Sequence, residues 1–199
     1  MTGRSFARRF AMSVAVLLTL GAAVGHFVAS PKTDAAANPG AQFDSQGNLL
    51  RPDGWREWVY VGTPLTPNDL NPPAAAFPEF HNVYIDPDSY AHYKKTGTFR
   101  DGTILVKELV SVGSKTAPSG KGYFMGEFVG LEAAVKSARQ FPKEPGNWGY
   151  FTFSHKPPPY PAKAKIQLTA TCNTCHQGAA AEDWVFTQYY PPLRAVKGK

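Results

Sequence analysis

Both cysteines of this 199-residue chain fall in one short stretch near its end, TATCNTCHQG, as Cys172 and Cys175, and His176 follows directly. C-x-x-C-H is the attachment signature of c-type haem. Positions i, i+3 and i+4 share one face of a helical turn, so the stretch has to be helix for the motif to work. Two thioether bonds then grip the porphyrin edge while His176 reaches the iron as its proximal ligand. A rigid disc fixed this late obliges the preceding residues to build the walls around it. A structural zinc site would need four ligands, and the chain has no second cysteine pair. A thioredoxin-like redox pair would need a βαβ context, which the flanking sequence lacks.

Haem c of this kind is built after export, and the N-terminus reads accordingly. Arg4, Arg8 and Arg9 precede the apolar run AMSVAVLLTLGAAVGHFVA, and small residues Ala35, Ala36 and Ala37 follow. This is the pattern of a secretory signal peptide over residues 1–37, which puts the working protein in the periplasm. Gly, Ser and His26 dilute the run too far for a good membrane-spanning helix. Residues 38–199 then form one domain, long enough for a real core. The leader takes four of the 21 basic and one of the 15 acidic residues with it, leaving a net charge of +3. With no basic run interleaved with aromatics, no nucleic-acid partner is expected.

Most of residues 38–199 read as strand. Segments 56–62, 80–86, 103–110, 122–130 and 148–155 are rich in aromatic and β-branched residues. GSKTAPSGKG joins the third and fourth as a hairpin. DPDSYAHYKKTG reads as a short helix capped by Asp86, with Pro87 first and Gly97 ending it. LEAAVKSARQF, 131–141, has helical propensity but can equally extend the fourth strand. AAAEDWVFTQYY, apolar almost all round and stopped by Pro191, predicts a buried helix beside the haem. The fold class is α+β: a mainly antiparallel β-sheet with a few helices and a C-terminal haem-binding helix.

A haem that only carries electrons commonly has a sixth protein ligand, Met or a second His. Met125, in KGYFMGEFVG, reads as a core residue. His92 belongs to the polar helix and reads as a surface residue. His155 opens the proline-rich loop HKPPPYPAK, and His81 begins the strand HNVYID, where it can face either side. None stands out as a ligand, so the distal position is expected to be open and available to a small molecule.

The strand DGTILVKELVSVG, 101–113, carries an anomaly. Leu105, Lys107 and Leu109 point to one face and Val106, Glu108 and Val110 to the other, so each apolar face holds one charge at its middle. Lys107 either lies at a sheet edge and snorkels to water or has a chemical use. Burial between leucines disfavours an ammonium and favours a neutral, nucleophilic amine.

Several longer stretches resemble one family, the cytochromes P460: HNVYIDPDSYAHYKKTGTFRDGT, ILVKELVSVG, GYFMGEFVGLEAAVK, EPGNWGYFTF and CNTCHQGAAAEDWVFTQYYPPLR. The resemblance covers essentially all of residues 38–199. It implies an antiparallel sheet with helices, commonly in a homodimer, and a periplasmic enzyme that oxidises hydroxylamine. It further implies one haem c per chain with an extra covalent bond from a lysine nitrogen to a porphyrin meso carbon. The matching lysine, in the V-K-E-L context, is Lys107. Glu132 matches a carboxylate held above the iron, and Phe77 a phenylalanine packed over the distal side. For His81 the family implies no role. If the fourth strand continues, Glu132 shares a face with Phe124 and Phe128, an apolar wall that would raise its pKa toward neutrality and suit it as a base.

Two activities follow from these expectations. The first is oxidation of hydroxylamine, through an iron nitrosyl, to nitrous oxide or to nitric oxide and nitrite, with electrons passing to a periplasmic cytochrome. The second is capture of nitric oxide, as in the related cytochrome c-prime-beta group, which lacks the lysine bond. Lys107 and Glu132 together favour the enzyme.

Overall fold

Alternating apolar residues build a five-stranded antiparallel meander, in which each strand pairs with the one before it: β2 (Val59–Gly62), β3 (Phe80–Ile85), β4 (Ile104–Ala117), β5 (Gly120–Lys136) and β6 (Trp148–Ser154). A second antiparallel pair joins β1 (Leu49–Leu50) to β7 (Lys163–Ala164). The helices are α1 (Pro87–Thr96), α2 (Thr169–Ala179) and α3 (Pro191–Lys197). This α+β architecture comes from a computed structural model that describes residues 40–197, so the signal-peptide reading lies outside the described residues. Among the described residues, no helix is long and apolar enough to cross a membrane.

Both faces of the sheet are covered. Ile104, Val106, Leu131, Ala133, Val135, Phe151 and Phe153 pack on one side with Leu49, Tyr160 and Ala164. On the other, Val83, Ile85, Leu105, Trp148 and Tyr150 meet Tyr93 of α1, Leu193 of α3 and Val185. Helix α1 forms as its signals predict. The Asp86 carboxylate accepts the Ser89 amide at 2.9 Å, Pro87 opens the first turn, and Gly97 closes the helix at φ 70°.

One open alternative is decided and two expectations change. Of the two readings of 131–141, strand holds over 131–136, which extend β5, because pairing with β4 on one side and β6 on the other outweighs the helical propensity of LEAAVK. Residues 180–190 form no long helix: Asp183 and Trp184 take positive φ (43° and 60°), Glu182 bridges to Val185, and only Thr187–Tyr189 makes a 3-10 turn. Met125 is not a core residue. It is 48 % exposed on the hairpin arm that β4 and β5 form beyond the reach of β3 and β6.

Candidate functional site

Strand β4 is the middle strand of the five, which rules out the edge reading of Lys107. Lys107 sits opposite Val83 of β3 and Glu132 of β5. Its Nζ lies 2.5 Å from Glu132 Oε2, and the two side chains keep 28 % and 18 % of their exposure. They stand where the core behind Leu105 ends and the same sheet face opens. The ring of Phe77, from the loop before β3, lies with its centroid 5.3 Å from Lys107 Nζ. His81 meets that ring edge-on at 6.0 Å. Of the predicted site residues, the structure therefore groups Lys107, Glu132 and Phe77, and adds His81.

His81 Nε2 is buried with no hydrogen-bond partner. Burial, aided by the Lys107 charge and opposed by Glu132, pushes the imidazole down to about 4, so it is neutral at pH 7. Glu132 departs from expectation. Burial, the largest single influence, raises its pKa, but the charge and hydrogen bond of Lys107 and the contact with His155 together hold it below the ordinary carboxylate value.

The apolar wall expected around Glu132 is also absent, and a β-bulge is the reason. Leu109 pairs with Gly130 but Val110 pairs with Phe128, so Val129 is the extra residue and the side-chain alternation inverts there. Phe128 lands on the opposite face, 4.3 Å beneath the Arg56 guanidinium. Phe124 pairs with Ser114, well along the hairpin arm from Lys107. At the rise of an extended strand that separation is roughly 20 Å.

Sequence reasoning missed the second partner of Glu132. His155 Nε2 lies 2.7 Å from Glu132 Oε1, with the imidazole 57 % exposed. No short-range pattern signals this, because the contact joins the residue just past β6 to the last third of β5.

Helix α2 presents the haem motif. Cys172 is half-buried against the core, Cys175 is exposed, and both thiols are free. Burial pushes the Cys172 thiol up, with the nearby Glu132 charge adding to it and Lys107 opposing. His176 is pushed down by burial, and it too senses Lys107 and Glu132. The motif therefore lies close enough to the Lys107–Glu132 pair for both charges to act on Cys172 and His176. The His176 ring lies between Tyr150 and Phe186, with centroids 4.4 and 4.7 Å away. Its Nδ1 is 2.8 Å from the Trp184 carbonyl. A carbonyl can only accept, so Nδ1 carries the proton and Nε2 keeps its lone pair. That is the state a metal-ligating histidine requires.

The carbonyl is itself held in place. Lys136 Nζ (2.9 Å) and Trp148 Nε1 (3.3 Å) both donate to Asp183 Oδ1, pinning the left-handed turn that delivers Trp184. Gly146, at φ 63°, leaves room for the Trp184 ring, which a Cβ there would meet at 2.4 Å. Only glycine combines that backbone conformation with that much space. Asn173, buried between the two cysteines, donates to the Trp148 carbonyl at 3.1 Å and anchors α2 to the start of β6. No local pattern signals these supports, because each joins residues from separate elements.

Free thiols one helical turn apart, a histidine with Nε2 available, aromatic walls and the orphaned His81 nitrogen fit a haem. A cleft of about 370 Å³ between the β2–β3 loop and the hairpin arm is a separate feature, crossed by the Asp69–Lys115 ion pair at 2.7 Å. A family model described as Cytochrome P460 matches residues 52–187, and all the residues grouped here fall within that range. None of the curated proteins compared with the chain matches it.

Proposed function

This chain belongs to the cytochrome P460 family, which implies a haem cofactor, and from that premise we propose that it is a periplasmic haem c enzyme oxidising hydroxylamine. In this reading Cys172 and Cys175 bond the porphyrin, His176 ligates iron, and Lys107 is bonded through Nζ to a meso carbon. The observation that carries it is the Lys107–Glu132 pair, a lysine on the central strand beside a carboxylate, both near enough to act electrostatically on Cys172 and His176 of α2. Bound there, the haem would supply a ferric iron able to bind hydroxylamine and accept its electrons, with a periplasmic cytochrome as the onward acceptor.

The side chains supply the proton chemistry. Oxidation of hydroxylamine to nitric oxide releases three protons with three electrons, so a base within hydrogen-bond reach is needed. Glu132 is that base. A Lys107 nitrogen bonded to the porphyrin would be an uncharged amine and not an ammonium. The Lys107 charge, the larger of the two influences that hold Glu132 low, would then be gone, while burial, which raises it, would persist. The cross-link therefore makes Glu132 a better base. Phe77 excludes water on the same side, and His81 offers a neutral imidazole. The product is nitric oxide, or nitrous oxide when a second hydroxylamine reacts, and the working form is a homodimer.

The optical spectrum of the reduced, purified protein tests the cross-link, since a lysine-bonded haem absorbs far to the red of ordinary haem c. Lys107→Leu should still mature as haem c but lose that band and drift toward simple nitric oxide capture. A tryptic haem peptide from the wild type that contains only the CNTCH segment would refute the bond. Glu132→Gln should keep the band and bind hydroxylamine, yet lose turnover by on the order of 10²–10⁴-fold. Turnover within a few-fold of wild type would remove Glu132 from the role.

A further inference from the structure

The pairing with Lys107 accounts for one oxygen of Glu132 and leaves the other unexplained. Oε2 belongs to Lys107 at 2.5 Å, while Oε1 meets His155 Nε2 at 2.7 Å. His155 comes from the end of β6, where a register shift between Leu131 and Glu132 brings the strand end round to β5. The turn that follows is tied down locally. Ser154 Oγ accepts the Lys156 amide at 2.9 Å and donates to the Lys156 carbonyl at 3.2 Å. Pro157, Pro158 and Pro159 then stiffen the exit, because each ring fixes its own φ. An exposed histidine with this much support stands as a fixed bridge between Glu132 and water.

A bridge is needed because of stoichiometry. One carboxylate holds one proton, and each hydroxylamine oxidised to nitric oxide releases three. Glu132 must be unloaded within the turnover, yet its side chain is only 18 % exposed and Lys107 blocks one oxygen, whereas His155 is 57 % exposed. We propose that His155 is the proton exit of the site. The protonated Glu132 gives its proton from Oε1 to His155 Nε2, so carboxylic acid and neutral imidazole become carboxylate and imidazolium. The imidazolium then releases a proton to water, which restores the starting pair without net change of charge or electrons. Glu132 from β5 is the charged group that meets His155, Lys156 follows it in the chain, and Lys107 on β4, once bonded to the porphyrin, would bring no charge. The inference rests on the hydroxylamine-oxidising reading, but it assigns a residue that acts through Glu132 and does not touch the substrate.

The test separates proton carriage from a merely positional hydrogen bond. Both His155→Ala and His155→Gln should bind hydroxylamine as the wild type does in a spectral titration. Both should lose turnover in weak buffer by on the order of 10²-fold, the lower end for a positioned proton-transfer group. Added imidazole should restore the Ala variant. In single-turnover mixing with a pH-indicator dye, proton release should keep pace with electron transfer in the wild type and lag it in both variants. Wild-type rates in His155→Gln would reduce the histidine to a hydrogen-bond prop and overturn the inference. So would proton release that keeps pace with electron transfer in His155→Ala. A wild-type protein that fails to oxidise hydroxylamine at all would overturn the functional reading beneath it, a result distinguishable from either.

Discussion

His81 and Glu132 respond in opposite ways to the same surroundings. For His81, burial and the Lys107 charge act together and keep the ring neutral; for Glu132, Lys107 and His155 overcome burial and keep it charged. A measurable pH dependence follows from His81. Its folded pKa of about 4 lies below the ordinary 6.5, so between those values the unfolded chain binds a proton that the folded chain refuses. Stability is therefore full above the ordinary imidazole value and falls as pH drops toward the folded one, by on the order of 3 kcal/mol. His81→Phe should flatten that part of the profile. Chemical denaturation at pH 7 and pH 4.5 measures it, and equal losses in both proteins would show that His81 is not the titrating group. Burial is the larger cause, so the effect should survive the loss of the charge on Lys107.

The elements show what local supports do for the histidine proposed as the iron ligand. The His176 ring is oriented by a carbonyl on a left-handed turn, and that turn exists because Lys136 and Trp148 hold Asp183 while Gly146 makes space for Trp184. Gly146→Ala would add a Cβ 2.4 Å from the indole at a φ of 63°, where L side chains are strained. It should cost roughly 1–3 kcal/mol in a denaturant titration. Displacing Trp184 also takes the acceptor from His176 Nδ1, which in the proposed holoprotein would weaken the imidazole as a donor to ferric iron. The haem midpoint potential should rise. An unchanged potential in a destabilised variant would mean that His176 finds another acceptor.

Across the whole molecule the two faces of the sheet divide stability from chemistry. Opposite the site, Glu108 is fully buried and its carboxylate takes Arg56 in a two-point contact, Nε at 3.0 Å and Nη2 at 2.5 Å. Removing the guanidinium strands a buried charge, a change worth about 3–5 kcal/mol when both partners are buried. Arg56 is half-exposed. Solvent screening therefore reduces the expected cost of Arg56→Ala to roughly 2–3 kcal/mol, with the haem spectrum and hydroxylamine binding unchanged. A spectral change as large as that of Lys107→Leu would show that the faces are coupled through β4.

The sequence alone determined whatever depends on residues within a few positions of one another. Helix α1, with Asp86, Pro87 and Gly97, is a set of backbone caps complete within the segment. The haem motif is one turn of helix, and the two-sided alternation at 105–110 is a property of any extended chain. Tertiary structure decided what depends on pairing. That Lys107 is central and not marginal follows from strand order. That Phe128 faces away from Glu132 follows from a single extra residue, Val129, in the ladder between β4 and β5. That His155 reaches Glu132 follows from where β6 ends against β5, and that residues 180–190 refuse a helix follows from Lys136 and Trp148 holding Asp183. A bulge inverts every side chain beyond it. The contact between Glu132 and His155 spans 23 positions of the chain, so no local periodicity contains it.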